Sequence, residues 1–279
     1  MTLDSALEPA LLRDGLIVPG QPWTPMQGGR TNRLWRVGDV VVKRYAPQDG
    51  NPRFPNDPAQ EAAVLRHLEG QAIAPRLAGQ VQLNGVTYLL YQHLKGTPWS
   101  QDPAQVGQLL RRLHGLRPPT GLRTLPGGSQ AILRQVGEIL PSLPAGLAER
   151  LRRTQPDYRV PPLETGVFLH GDVVPGNVIV TAAGVRLIDW QCPAVGDPAE
   201  DLAIFLSPAM QRIYRGSPLD ARETSAFLAG YGDPAVLRRV RRMQPWHHWA
   251  MAAYCAWKSV RGAAEYSQAM ALELAALQQ

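Results

Sequence analysis

The sequence is short of the features that mark several common protein classes. Its 279 residues hold two cysteines, Cys192 and Cys255, too few for a disulfide framework or a thiolate zinc site. Its longest uninterrupted apolar run spans residues 249–257, well below the roughly 20 residues of a membrane-spanning helix, so no membrane is expected. Asp4 and Glu8 stand where a secretion leader would need a basic and then an apolar stretch, and a cytoplasmic location is the expectation. There is no tandem repeat and no low-complexity tract. Lysine is scarce, with three among 29 basic residues. The net charge of +6 is therefore arginine-borne. Alongside plentiful Ala, Gly and Pro, it reads as a compositional bias rather than a nucleic-acid surface. The densest basic cluster, Arg238-Arg239-Val240-Arg241-Arg242, is expected to be a solvated helix face, and no nucleic-acid partner follows from it.

What the chain does have is apolar material, 44% of residues, enough for one globule of two lobes. Residues 34–37, 40–45 and 86–91 are short β-branched or aromatic runs. Gly38-Asp39 between the first two predicts a tight hairpin. Residues 57–68 read as a helix with Pro58 in its first turn and apolar spacing at Ala62, Leu65 and Leu68. Beyond Gly96 the pattern turns helical, with Val106, Leu109, Leu110 and Leu113 on one face. Residues 120–128 are expected to be a loop and 143–153 a short helix. Residues 178–180 and 185–188, around Ala182-Ala183-Gly184, predict a second hairpin. A further helix is expected from Ser217-Pro218 to near Gly230. The fold class expected is α+β and bilobal, with a small β-rich lobe over residues 1–95, its hinge included. A mainly helical lobe over residues 96–279 would follow.

The chemistry-bearing residues are concentrated in one block. Asp172 and Asn177 are spaced D-x-x-x-x-N, and twelve residues after Asn177 the second hairpin ends in Ile188-Asp189-Trp190. A loop brings the first two together and the hairpin returns Asp189 to face them. A hard cation such as Mg²⁺ takes oxygen ligands of this kind beside phosphates. An isolated Asp is more often a turn residue or helix cap, but this combined spacing is not explained that way. In the small lobe, Gly28-Gly29-Arg30-Thr31-Asn32 precedes a strand, and glycines let backbone amides approach phosphate oxygens. Lys43 lies inside the apolar run Val40-Val41-Val42-Lys43, where an unpaired ammonium is costly. Glu61 on the following helix is its natural partner. A Lys43 that snorkels to the surface, with Arg44 taking its place, is the competing arrangement.

His170-Gly171-Asp172-Val173-Val174-Pro175-Gly176-Asn177, then Leu187-Ile188-Asp189-Trp190, then Gly196-Asp197-Pro198-Ala199-Glu200-Asp201-Leu202-Ala203 resemble the aminoglycoside phosphotransferase and choline kinase superfamily. The resemblance runs from about residue 26 to 231. It implies a protein-kinase-like fold and ATP- and Mg-dependent transfer of a phosphoryl group to a hydroxyl of a small molecule. It implies that Asp172 is the catalytic base, that Asn177 and Asp189 hold the metal, and that Asp197 and Asp201 brace the catalytic loop. His170 would pack and hydrogen-bond that loop, since phosphoryl transfer with Mg²⁺ needs no histidine base. Gly28, Gly29 and Asn32 would cover the nucleotide. Lys43 would meet the α- and β-phosphates with Glu61 fixing it. Gln92, His93 and Leu94, within the stretch from Leu89 to Gly96, resemble the inter-lobe hinge that meets adenine through main-chain groups. A protein kinase would instead read His-Arg-Asp and Asp-Phe-Gly. A catalytically idle, nucleotide-binding interaction module is the rival class, and such modules usually lack one member of the Lys43, Glu61, Asp172, Asn177, Asp189 set.

The acceptor is much less legible. Polycationic aminoglycosides call for carboxylate-rich pockets, yet residues 204–279 carry nine Lys and Arg against five Asp and Glu. Trp246, Trp249, Tyr254 and Trp257 could form a cage for a quaternary ammonium. However, Trp246, Trp249, Ala253, Trp257 and Val260 share a helical stripe, which reads as core. His247-His248 diverge on a helix and make a poor metal pair. The partners expected are a nucleoside triphosphate and a small hydroxyl compound: an aminoglycoside, an amino alcohol or a sugar-like metabolite.

Overall fold

A computed structural model of the chain describes residues 5–26, 31–46 and 50–278. The first helix, α1 (Leu7–Arg13), precedes β1 (Trp23–Pro25), β2 (Arg33–Val37) and β3 (Val40–Arg44). Helix α2 (Pro58–His67) is followed by β4 (Leu77–Leu83) and β5 (Val86–Gln92). These five strands form one antiparallel sheet in the order β1-β2-β3-β5-β4, with a register shift in β4 between Leu77 and Gly79. Gly38 and Asp39 close the β2–β3 hairpin, in which Val37 pairs with Val40.

The period of two along β3 decides what each face of this sheet does. Val42 joins Leu7, Leu11, Ile17, Val37, Tyr88 and Leu90 in a cluster beneath α1. Val41 and Lys43 point the other way, toward the interior of the molecule. Helix α2 starts where expected: the Asp57 carboxylate accepts from the backbone N–H groups of Ala59 and Gln60 at 2.9 and 3.1 Å, and Pro58 occupies the first turn. Glu61 is thereby fixed in the first turn, buried, beneath the sheet.

The chain continues with β6 (Gly96–Pro98), α3 (Pro103–His114), α4 (Gly128–Ile139) and α5 (Ala145–Arg153). Then come β7 (Val167–Leu169), β8 (Val178–Thr181), β9 (Gly184–Leu187) and β10 (Ala194–Gly196). Five helices follow: α6 (Ala199–Leu206), α7 (Pro208–Arg215), α8 (Ala221–Tyr231), α9 (Pro234–Ser259) and α10 (Glu265–Ala276). The β8–β9 hairpin is the second one expected. Strand β6, immediately after the hinge, adds to its edge, and β10 pairs with β7. No described helix is long and apolar enough to cross a membrane.

Four expectations need correction. Helix α8 begins at Ala221, not at Ser217-Pro218, because Asp220 and Glu223 form a reciprocal capping box that starts it there. Helix α4 was not foreseen and starts at Gly128, where a loop was expected to end; its buried face of Ile132, Val136 and Ile139 packs into the main core. Of the proposed Trp stripe on α9, Trp246, Trp249, Ala253 and Trp257 are buried as expected, whereas Val260 is 40% exposed. The helix ends at Ser259, so Val260 lies beyond the packed face. Within the Arg238–Arg242 cluster, Arg238, Arg241 and Arg242 are solvated, but Arg239 turns inward. Its Nε donates to Asp197 at 2.8 Å.

Candidate active site

The loop after β7 is held by one carboxylate. Asp201, in the first turn of α6 and fully buried, accepts from the backbone N–H of His170 and of Gly171, each at 2.8 Å. His114 of α3 adds a third bond to Asp201 at 3.1 Å, and its other ring nitrogen meets the Tyr231 hydroxyl at 3.0 Å. Burial alone would raise the Asp201 pKa; the hydrogen bond and charge of His114 outweigh it, so the group is held below the ordinary carboxylate value. Gly171 bends the chain at φ +82°, and a Cβ there would run into the carbonyl oxygen of Cys192. A glycine is required at this turn on both counts.

His170 is fully buried against Trp190, ring centroids 4.4 Å apart. Its Nε2 lies 3.0 Å from the carbonyl of Ile188, which can only accept. Its Nδ1 lies 3.2 Å from the backbone N–H of Asp172, which can only donate. The ring is therefore the neutral Nε2–H tautomer, and burial pushes its pKa below the ordinary value. It links residue 172 to residue 188 across the two ends of the hairpin.

Asn177 closes the same loop: its side-chain amide donates to the carbonyl of Asp172 at 2.9 Å and to the Asp172 carboxylate at 3.3 Å. Its own main-chain carbonyl accepts from Ile188 at 2.9 Å. Asp189 then sits at φ +64°, a costly conformation for a non-glycine residue that the surrounding hairpin imposes. Burial, and next the charge of Asp189, push the Asp172 carboxyl up to about 8, while the Asn177 hydrogen bond and the charge of Arg53 pull it back.

Lys43 does not snorkel. Its side chain is 2% exposed, its ammonium lies 2.6 Å from Glu61 Oε2, and it also contacts Asp189 Oδ1. Burial alone would lower its pKa; the charges of Asp189 and Glu61 outweigh this and hold it well above the ordinary lysine value. The Tyr45 hydroxyl also binds Glu61. Arg44, the competing candidate, pairs in register with Tyr88 one strand position away and does not line the cleft.

Val41, Lys43, Tyr91, Gln92, His93, Leu94, Asp172, Asn177, Ile179, Ile188 and Asp189 line one cavity of about 430 Å³ between the sheet and the helical region. At the hinge, the N–H of Gln92 goes to Arg76 and that of His93 to Asp39, each at 2.8 Å. Leu94 N–H has no acceptor among the described residues. The oxygens available to a hard cation are Asn177 Oδ1, which has no donor among the described residues, and the Asp189 carboxylate, 31% exposed. Such an all-oxygen pair fits magnesium shared with phosphates, and does not fit a thiolate or imidazole metal. Among the described residues there is no cluster of three or more His, Cys, Asp and Glu placed for a metal.

Two expected placements differ. Asn32 reaches the cavity wall, but its amide is committed to Asn56 and Gln191, both at 2.8 Å, and its oxygen to Ala46 N–H at 3.0 Å. It ties the β2 strand to the segment after Asp189. Asp197 does not touch the catalytic loop; it binds the N–H of Ala199 at 3.0 Å and Arg239. Asp201 alone of that pair braces the loop. Gly28 and Gly29 lie outside the described residues.

The sequence reading missed the far end of the cavity. Residues 50–56, between β3 and α2, descend onto α9: Asn51 donates to the Tyr254 hydroxyl at 3.4 Å and Phe54 packs edge-on to the Tyr254 ring at 5.0 Å. Arg53, 6% exposed, lies near Glu200 and donates to Gln135 at 3.0 Å. Asn51, Phe54 and Tyr254 close that end together with Met210, Tyr214, Lys258 and Tyr266. A separation of 203 residues between Asn51 and Tyr254 left no local signal. Of the candidate aromatic cage, Tyr254 lines the cavity, while Trp246 and Trp249 belong to the core, Trp249 donating to the carbonyl of Leu151 at 2.7 Å.

Known proteins resemble this chain in sequence and in fold. A probable ketoamine kinase of Thermus thermophilus is 32% identical over 225 residues, 75% of this chain and 79% of that protein. A thiamine kinase of Salmonella typhimurium is 28% identical over 226 residues, 80% and 75% of the two chains. The solved GDP and kanamycin complex of APH(2")-IIia superposes with a TM-score of 0.68 at 16% identity, covering 99% of both chains, which makes the fold protein-kinase-like. The model of the phosphotransferase enzyme family (APH) matches residues 22–246, and the chain belongs to that family, whose chemistry is phosphoryl transfer to an acceptor such as a hydroxyl.

Proposed function

We propose that the chain transfers the γ-phosphoryl group of ATP to a hydroxyl of a small polyhydroxylated metabolite, with magnesium. The observation that carries this is the opening of the Asp172 carboxylate and the Lys43–Asp189 pair into one cavity that also contains the hinge. In the proposed mechanism the adenine meets the free N–H of Leu94, and the ammonium of Lys43 stabilises the phosphates. Asp172 accepts a hydrogen bond from the acceptor hydroxyl, orients it in line and takes its proton as the new O–P bond forms and the bond from the γ-phosphorus to the departing ADP oxygen breaks. A carboxyl pushed up to about 8 binds a proton strongly once ionised, so turnover should rise as pH approaches that value. Asn177 and Asp189 would hold magnesium, which supplies charge neutralisation on the triphosphate. His170, Asn177 and Asp201 keep the loop rigid so that Asp172 is not misplaced.

A sugar-like acceptor is favoured over a polycationic aminoglycoside because Asp172 and Asp189 are the only carboxylates among the described residues lining the cavity. The relative named as a ketoamine kinase points the same way. An idle nucleotide-binding module is not favoured, since Lys43, Glu61, Asp172, Asn177 and Asp189 are all in place. ADP release measured over a panel of ketoamines, sugars and amino alcohols should identify an acceptor, and Asp172→Ala should abolish that release. Full activity in Asp172→Ala would overturn the assignment.

A further inference from the structure

The acceptor end of the cavity carries a charge for which the phosphoryl-transfer chemistry has no use. Lys258 lies one turn after Tyr254 on α9, so both side chains emerge on the same face into the cavity. Its ammonium stands 5.8 Å from the ring centres of Trp257 and Tyr266. It has no carboxylate within ion-pair distance among the described residues. The other lysine of the cavity, Lys43, is paired with Glu61 and Asp189 and in the proposed mechanism serves the nucleotide phosphates. Of the two lining carboxylates, Asp189 belongs to Lys43, and Asp172 faces the transferred group in the proposed mechanism. The remaining walls near Lys258 are aromatic or neutral: Phe54, Tyr214, Tyr254, Tyr266, Met210 and Asn51.

A half-buried ammonium among aromatic rings has lost part of its hydration, and the ring faces compensate only partly. An anion delivered by the ligand would complete the balance, whereas a cationic acceptor would be repelled. We infer that Lys258 is a specificity-determining residue that binds an anionic group of the acceptor, a carboxylate or a phosphate monoester, while the aromatic walls flank the acceptor's body. The inference rests on the proposed small-molecule kinase activity and adds the charge of its substrate. Lysine offers a point charge rather than a planar fork, so it suits either anion.

Matched acceptors differing only in the anion test it: fructosyl-glycine against its carboxamide, and fructose 6-phosphate against fructose. The wild-type enzyme should prefer the anionic member of at least one pair in kcat/KM, and that pair names the anion. Lys258→Met should reduce that preference about 10- to 100-fold, the worth of one charge-assisted hydrogen bond, mainly through KM. Lys258→Arg should keep most of the preference, and Lys258→Glu should reverse it. Thermal unfolding of each variant checks that the fold survives. Equal use of both members by wild type, or an unchanged preference ratio in a folded Lys258→Met, overturns the inference while leaving the kinase reading intact. A Lys258→Met effect confined to nucleotide affinity overturns it as well, by assigning the lysine to the phosphates. Absence of Asp172-dependent turnover on every acceptor overturns both readings together.

Discussion

Replacing Asp201 by Asn is the most informative perturbation of the catalytic loop, because it removes one charge and no volume. The native carboxylate is fully buried and satisfies three donors: His170 N–H and His114 Nε2 on one oxygen, Gly171 N–H on the other. An amide has one oxygen, so one backbone N–H must face an NH₂ group, donor against donor. The loss is one hydrogen bond to a charged acceptor, about 1.5–3 kcal/mol, plus the cost of a buried unsatisfied donor, together about 3 kcal/mol. For a chain of this size that lowers the melting midpoint by roughly 6–12 °C. The donors concerned flank the Gly171 turn that presents Asp172, so kcat should fall about 100-fold through misplacement of the base. The pH dependence carries a further signature. Asp201 is held below its unfolded value, so its stabilisation is present above about pH 4 and lost as pH falls through the lower folded pKa. The Asn variant should lack that acid limb. Calorimetric midpoints from pH 3 to 8, with single-turnover rates, provide the assay. A midpoint within a degree of wild type, together with kcat within twofold, would refute the role assigned to Asp201.

The remaining predictions concern the cavity itself. Asp172 has a folded pKa of about 8, above its unfolded value, so the folded state holds its proton more tightly between about pH 4 and 8 and loses relative stability as pH rises through that window. Asp172→Asn should therefore be inactive yet more stable than wild type, by a margin that grows to about 2 kcal/mol at pH 8, less than the full shift implies because the carboxyl faces the cavity. Equilibrium denaturation at pH 5 and pH 8 measures the gap, and an equal gap at both values contradicts the reasoning. Lys43→Met should strand Glu61 and cost about 3–5 kcal/mol, whereas Lys43→Met with Glu61→Met should regain much of it. A double variant no more stable than the single one would show that the pair is not coupled. Asn32→Ala, which orphans Asn56 and Gln191, should cost about 2 kcal/mol in urea unfolding; a neutral result would mean that the amide cluster is dispensable.

Local patterns were legible wherever one residue type forces one geometry. Asp57-Pro58 set the start of α2, Gly38-Asp39 the first hairpin, and the spacing of Val106, Leu109, Leu110 and Leu113 the buried face of α3. Short strands were missed where pairing alone defines them: β7 and β10 have three residues each and exist only because they meet. The start of α8 was misplaced because Pro218 is as acceptable in a turn as in a helix, and the Asp220–Glu223 box decided the matter. Asn32 was read as a nucleotide contact because its partners, Asn56 and Gln191, lie 24 and 159 residues away.

The sequence by itself placed the chain among phosphotransferases and grouped the residues proposed to carry the reaction. Asp172, Asn177 and Asp189 lie within eighteen residues of one another, so a loop and a hairpin suffice to assemble them, and local chain geometry encodes both. Lys43 and Glu61 followed from the cost of an unpaired charge in an apolar strand. The tertiary structure alone decided what surrounds them. The loop of residues 50–56 reaches α9 across two hundred residues, and Asp201 and His114 close on the catalytic loop from separate helices. Lys258 shares a cavity with Asp172 because α9, packed against α4, α6 and α10, presents that side chain to the same volume. Recognition of an acceptor requires side chains from distant elements to converge on one volume, and no periodicity within a single element records that convergence.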